Sequence, residues 1–321
     1  MKHIFIFNPA AGKKNSKENL ETQLKSVYAN VDYEIYETRG RGDAGAYIKE
    51  YCETNKEAVR FYACGGDGTL NEVINGAVNY PWASVGCIPC GSGNDFVKYY
   101  GGKEIFFDLS AQLEATEEAI DLIRVGDRYA INAAHFGFDS CVAKVMTNVR
   151  RKKLIGGKNA YTTGIVVALL KAMRNKCKVW ANGELLNPKG TILLCTLANG
   201  QYVGGSFRCA PRSVNHDGLL EVCLVKPVSI FTFLSLMNDY KAGTHLDNPR
   251  FARFLKYCRA DKIEIEAPDN FVYSMDGELI TRGKFTVEVV HHAIRFAVPK
   301  GAKPIVDPQY DTATAKETVT V

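Results

Sequence analysis

The chain has 321 residues, of which 46% are hydrophobic and 23% charged. This is the composition of a globular protein of about two domains at ~150 residues each, and it excludes general disorder, collagen-like repeats and coiled coil. The 40 Lys and Arg exceed the 35 Asp and Glu by five, a mild bias that allows an anionic partner; no nucleic-acid partner is expected.

No apolar run reaches the ~18 residues of a membrane span. Residues 164–170 and 228–237 are the best candidates, and both are too short. The start, MKHIFIF followed by Asn8 and Pro9, has neither a signal-peptide core nor a cleavage site, so a cytoplasmic protein is expected. The ten cysteines are scattered. The only CxxC, Cys87 to Cys90, continues a buried strand pattern and reads as two core thiols in a reducing compartment.

In chain order, residues 2–7 predict a strand that ends at Asn8-Pro9. Ser16 can cap a helix carrying Leu20, Leu24 and Val27. Residues 31–37 alternate as a strand, and Asp43 can cap a helix through Ala46, Ile48 and Tyr51. Residues 58–64 predict a strand, 69–79 a helix and 84–89 another strand. Alternating strands and helices of these lengths imply a mostly parallel sheet covered on both faces. The pattern changes near residue 120. Strands are predicted at 119–125, 128–136, 176–181, 191–198, 219–224, 262–266, 285–290 and 293–298. Helical stretches fall at about 140–174 and 228–242, and turns at Asn182-Gly183 and Asp276-Gly277. Runs of strands after a βα block suggest a second, mainly β domain. The polar residues 307–321 read as an unstructured tail.

The strongest local signal is residues 65–72, GGDGTLNE, between a buried strand and a helix. Three glycines there let backbone approach a ligand closely, and the following helix offers its N–H groups, a geometry that suits phosphate. Asp67 would repel bare phosphate, so a metal ion or bound water is implied beside it. The pattern matches neither GxxxxGK[ST] nor GxGxxG. Two further loops, at 8–14 and 89–96, follow the first and fourth strands. Ligands of open parallel sheets bind outside the carboxyl ends of the strands, so three glycine-containing loops converge on one crevice.

Asn8-Pro9 with Gly12, the run Gly65 to Val73 with Asn75-Gly76, and the loop Pro89 to Phe96 resemble the diacylglycerol kinase catalytic-domain family. That family includes bacterial lipid kinases and the related sphingosine and ceramide kinases. The resemblance is specific over the first 100 residues and looser to about residue 300. It implies an N-terminal three-layer α/β domain with a parallel sheet, like that of NAD kinases and phosphofructokinases. It also implies a C-terminal β-sandwich-like domain, with the active site in the cleft between them. The boundaries expected are 1–126, with 297–306 returning to it, for the nucleotide-binding domain and 127–296 for the lipid-substrate domain.

By position, the resemblance implies ATP binding by Asn8, Pro9, Ala10, Ala11, Gly12, Thr38, Gly66, Asp67, Gly68, Thr69, Leu70, Asn71, Glu72 and Ser92. Ser92 keeps the hydroxyl of the family's usual Thr. Asp67, Asp95 and Asp121 match acidic positions that organise waters and a catalytic metal around the phosphates. The segment 210–220 resembles a family motif in which a structural Mg²⁺ is held, here by Asp217 with backbone oxygens of Val214 and Leu219. Residues 276–278 resemble the family's DGE, so Asp276 or Glu278 is the expected base for the acceptor hydroxyl; the sequence does not choose between them.

The implied activity is ATP- and Mg²⁺-dependent phosphorylation of a lipid alcohol, with diacylglycerol first among acceptors. A soluble-metabolite kinase of the NAD kinase type and a non-catalytic nucleotide- or lipid-binding regulator are the alternatives. Contact with the membrane is expected to be peripheral and transient. Four cations at 150–153 suit an anionic surface, although a solvated helix end explains them equally well. The apolar stretch Ile230 to Met237 could line a lipid groove, with core packing the preferred reading. Family members are often dimers, which leaves a homodimer open.

Overall fold

The computed structural model describes residues 1–11, 16–151, 167–169 and 171–306. Gly12, the cations at 152 and 153, and the tail from 307 lie outside the described residues. The N-terminal half alternates β1 (Lys2–Phe7), α1 (Ser16–Val27), β2 (Tyr33–Glu37), α2 (Asp43–Thr54), β3 (Val59–Gly65), α3 (Asp67–Ala77) and β4 (Ala83–Pro89). A short α4 (Leu109–Leu113), absent from the sequence-based expectation, then leads to β5 (Thr116–Val125). β1 pairs in parallel with β2 and β3, and β3 with β4. β3 and β4 are buried along their whole length, as near-continuous apolar runs require in a sheet covered on both faces. Ile4, Ile6, Phe61 and Val85 face α2 and α3. Their neighbours Phe5, Phe7, Tyr62 and Ile88 point the other way, onto Leu20 and Leu24 of α1 and Leu109 of α4.

The second half is β-rich. It holds β6 (Arg128–Ala130), β7 (Ala133–Gly137), α5 (Phe138–Arg151), β8 (Asn175–Lys176), β9 (Lys178–Ala181), β10 (Glu184–Leu185), β11 (Thr191–Ile192), β12 (Leu194–Ala198) and β13 (Leu220–Val225). Then come α6 (Ile230–Ala242), β14 (Leu255–Ala260), β15 (Lys262–Glu266), β16 (Val272–Met275), β17 (Glu278–Thr281) and β18 (Lys284–Val298). An antiparallel sheet of order β14-β13-β12-β7-β16-β17 packs on β9, β15 and the first half of β18, with Phe136, Leu197, Val222, Ile263 and Val287 in the core between them. The outer face of that six-stranded sheet carries a separate core with α5 and α6.

Two differences from the sequence-based expectation matter. Residues 128–136 do not form one strand. β6 pairs with β5, whereas β7 pairs with β12 and β16 of the other sheet. The N–H groups of Ile131, Asn132 and Ala133 are taken by the Asp276 carboxylate rather than by a neighbouring strand. Conversely, 285–290 and 293–298 are one strand. Its first part pairs with β15, and Arg295 and Phe296 pair in parallel with β4, so β18 belongs to both halves. The expected boundary at 126 falls in the β5–β6 turn, and that at 297 falls inside β18.

A bulge between Val290 and Ile294, with His292 at φ +50°, bends β18 from one half into the other. Asp121, fully buried in β5, holds this bulge: it accepts from His292 N (2.8 Å), His291 Nδ1 (2.8 Å) and Gly218 N (2.6 Å). Asp121→Ala strips acceptors from these partly buried donors. At ~1–3 kcal/mol per unsatisfied group, it is expected to lower the unfolding free energy by at least about 2 kcal/mol in urea melts, and Asp121→Asn by less. Equal stability of all three proteins would refute this role.

Candidate active site

Three loops meet at the carboxyl ends of β1, β3 and β4. After β1, Asn8 accepts from Ala10 N through Oδ1 and donates through Nδ2 to Thr69 Oγ1 (2.9 Å), which ties the first loop to α3. After β3, α3 begins at Asp67 without a side-chain cap; Thr69 N and Leu70 N donate to Gly66 O, so the N–H groups of Asp67 and Gly68 are the ones offered to the loop space. After β4, Gly91 lies directly against Gly66: a Cβ added to Gly91 would sit 2.4 Å from Gly66 Cα. That contact is why glycine is needed at this crossing. A Cβ on Gly68 would meet nothing within 4 Å, so this turn of α3 faces open space.

Asp67 fastens the β4 loop. Its two carboxylate oxygens accept from Asn94 N (2.7 Å) and Asp95 N (2.6 Å). Burial, and then the charge of Asp95, push its carboxyl above the ordinary range, against those two hydrogen bonds. Asp95 reaches the other half of the molecule. It accepts from Gly205 N and from Lys98 Nζ (2.5 Å), and Lys98 also donates to Gly205 O. Other residues of the expected nucleotide site brace the loops. Thr38 is buried, and its N–H donates to Phe7 O. Glu72 accepts from Gly42 N at the start of α2. Asn71 donates to Tyr129 O and Asp276 Oδ2.

The two candidate bases differ in place. Asp276 and Gly277 form the turn between β16 and β17, both at positive φ. Asp276 accepts from Asn132 N and Ala133 N on one oxygen, and from Ile131 N and Asn71 Nδ2 on the other. Burial still carries its carboxyl up to about 6. Glu278 points away, paired with Arg41 (2.6 Å) and Arg128 (3.3 Å).

Asp67, Leu70, Ser92, Asp95 and Asp276 line one cavity of about 490 Å³, a size within the ~300–1,000 Å³ usual for small-ligand sites. The acids lie among its polar lining residues. The apolar lining includes Phe138, Val142, Leu194, Phe233, Leu236 and Met237. Glu278, Asp121 and Asp217 are not among its lining residues. The stretch Ile230 to Met237 is thus only in part core packing. Sequence reasoning also missed three polar members. His135 Nδ1 and Ser274 Oγ are buried without hydrogen-bond partners, on facing positions of β7 and β16. Asp139, in the first turn of α5, has its carboxyl pushed up to about 6 by burial. The available signal was Gly137-Phe138-Asp139 at a strand–helix junction, which repeats the placement of Gly66-Asp67.

The donors differ in their fitness for a metal. Asp67 and Asp95 present hard oxygens at one end of the cavity, and these fit a divalent cation. Asp217 does not fit one as it stands. It is ion-paired with Arg259, and its Oδ1 accepts from Leu219 N, so the guanidinium already supplies the positive charge at this carboxylate.

Residues 2–125 match the diacylglycerol kinase catalytic domain, and 132–298 match the YegS C-terminal NAD kinase beta sandwich-like domain. The chain belongs to the diacylglycerol kinase catalytic-domain family. Within it, a Shewanella frigidimarina protein named "Probable lipid kinase YegS-like" is 31% identical over 73% of this chain and 75% of its own length. A Bacillus subtilis protein named diacylglycerol kinase is 27% identical over 92% and 95%. A crystal structure of a diacylglycerol kinase from Bacillus anthracis superposes with a TM-score of 0.69 at 20% identity, covering 96% of this chain and 98% of that one, a likeness of fold. Membership of a lipid or diacylglycerol kinase-like family and the two-domain architecture therefore hold for this chain.

The glycine contacts separate packing from ligand space. Gly91→Ala is expected to lower stability by about 1–3 kcal/mol through overpacking against Gly66. Gly68→Ala, in an open helical turn, should leave stability unchanged or raise it by up to ~1 kcal/mol. Urea unfolding of both variants checks this contrast; equal effects would refute it.

Proposed function

We propose that this protein is an ATP- and Mg²⁺-dependent lipid kinase that transfers the γ-phosphate to a lipid hydroxyl, with diacylglycerol as the first acceptor to test. The observation that carries this reading is that the loops after β3 and β4 line a largely apolar cavity through Asp67, Leu70, Ser92 and Asp95, that Asp276 lines it too, and that Asn8 ties the first loop to α3. The apolar lining favours a lipid over a soluble acceptor of the NAD kinase type. Four donors fixing one carboxylate on the cavity wall favour a catalyst over a binding protein.

In this reading Asn8–Gly12, Thr38, Gly66–Glu72 and Ser92 receive ATP. Mg²⁺, when bound, neutralises charge on the phosphates, and Asp67 and Asp95 are the carboxylates placed to hold it or its waters. Asp276, rather than the ion-paired Glu278, orients the acceptor hydroxyl. Its four hydrogen bonds fill its acceptor sites, so an incoming hydroxyl shares an oxygen with one of those donors. That suffices for a loose transition state, in which orientation matters more than early proton removal. His135, Ser274 and Asp139 offer hydrogen bonds to the rest of the polar part of the acceptor. Peripheral contact with a membrane supplies the lipid, and a homodimer is compatible with this arrangement.

The test is transfer of labelled γ-phosphate to diacylglycerol, phosphatidylglycerol and sphingosine in mixed micelles, with NAD as soluble control. A lipid product that requires Mg²⁺ is expected. Phosphorylated NAD alone, or bound ATP with no transfer, would overturn the reading in favour of one of the two alternatives. Gly68→Ala should weaken ATP at least tenfold, because its methyl enters the ligand space. Asp276→Asn should lower kcat by ~10²–10⁴. The base must be ionised, and its carboxyl sits at about 6, so kcat/KM should fall as pH drops through 6 and level off above 7. An acid limb near 4 would exclude Asp276 as the titrating group.

A further inference from the structure

Helix α6 is apolar on two faces. Phe233, Leu236, Met237 and Tyr240 recur at helical spacing and line the cavity. Phe231 and Leu234 point elsewhere and are 87% and 48% exposed, beside Ile230 at 39%. A surface helix normally sets polar residues opposite its buried stripe, so this outer face lacks the expected chemistry. Ser229 caps the helix by accepting from Thr232 N, and Gly243 ends it at positive φ, so its register and length are defined.

The surroundings are cationic. Between residues 226 and 256 there are five Lys and Arg against two Asp. Both acids are already in ion pairs, Asp239 with Arg250 and Asp247 with Arg212. Lys226 Nζ donates to Arg253 O, and the Arg253 guanidinium lies 4.8 Å from the ring of Phe254, a cavity-lining residue. Lys241, seven residues after Leu234 and so on the same helical face, stands 5.8 Å from the ring of Phe207, another cavity-lining residue. Exposed large apolar side chains flanked by cations are the pattern of an element lying in the interface of an anionic bilayer.

We infer that α6 is the membrane-docking element: Phe231 and Leu234, with Ile230, enter the acyl boundary of an anionic bilayer while Lys226, Arg253 and Lys241 meet its headgroups. The cavity then lies directly behind the inserted helix, and a lipid passes from bilayer to cavity around a single helical wall. This rests on the lipid kinase reading for its purpose but not for its test. The outer face takes no part in the cavity, so it can be altered without touching the site.

The experiment is co-sedimentation of the full chain with vesicles of phosphatidylcholine alone and of phosphatidylcholine with phosphatidylglycerol. Alongside it runs phosphorylation of a short-chain diacylglycerol below its micelle concentration. The parent should bind the anionic vesicles at least tenfold better than the neutral ones, and binding should weaken with salt. The double variant Phe231→Ser/Leu234→Ser should lose at least tenfold in vesicle binding, with unchanged thermal stability and unchanged turnover of the monomeric acceptor. Lys226→Gln should weaken only the anionic binding. Vesicle binding by the parent that the double variant loses, without turnover of any lipid, would support docking and refute the kinase reading. Turnover of the monomeric acceptor with equal vesicle binding by parent and variant would refute docking and leave the kinase reading intact. A dimer in light scattering that the double variant dissolves would also overturn the inference, since a second copy would then cover the face.

Discussion

Asp276 receives hydrogen bonds from Asn71 on α3 and from the backbone of Ile131, Asn132 and Ala133, where the chain passes from one sheet to the other. One partly buried carboxylate thereby joins the glycine loop, the crossover and the β16–β17 turn. Its place inside the protein opposes ionisation, and its four donors favour it; the net position near 6 leaves it charged at neutral pH without much to spare. A hub of this kind fixes geometry by charge. If Asp276 were neutral, one of its oxygens would carry a proton and face an N–H donor, and the crossover would lose its anchor.

Asp121 and β18 solve a related problem on the far side. A strand that serves two sheets must bend, and a bend leaves N–H groups outside either ladder. Asp121 takes up one of them, His292 N, together with the Gly218 N–H from the adjacent turn. Asp95 adds a third crossing through Gly205. Three acidic side chains thus join the halves where backbone ladders cannot, and two of them also line the cavity. Site and domain junction share the same residues, which limits how far the halves can move apart without disturbing the acidic end.

The N-terminal fold was legible because β1, β3 and β4 are buried on both faces and read as apolar runs, while the edge strand β2 alternates. The three loops were legible because glycine and asparagine stand at every relevant strand end. The second half was harder. His291-His292 looks like a break between two strands, and nothing local reveals that a bulge held by Asp121 carries one strand through it. Residues 128–136 look like one strand, and only the distant Asp276 shows why they are two. Nor does sequence show that Asp121 lies away from the cavity lined by Asp67 and Asp95, held instead to His291 and His292: its partners are set by packing across more than a hundred residues. Between Asp276 and Glu278 the sequence was silent because the choice depends on a turn direction and on Arg41 and Arg128, which lie 237 and 150 residues away from Glu278.

The acidic end of the cavity also constrains what can enter it. Asp67, Asp95 and Asp276 all line the cavity, and Lys98 is ion-paired with Asp95. Like charges in a partly buried site repel; the carboxyl of Asp67 is raised first by burial and then by the charge of Asp95. Free phosphate groups would add to the repulsion. On the proposed reading, only a nucleotide that arrives with its charge offset by a divalent cation relieves the repulsion, so cation and nucleotide affinities must be coupled. The apolar chamber sharpens this coupling. Once a lipid fills it, water is displaced from one side of the acids, the local dielectric falls, and each charge interaction at the phosphates strengthens. Acceptor, nucleotide and cation are then mutually reinforcing ligands of one cavity, and the apolar helix that closes it is part of the electrostatics as well as of the packing.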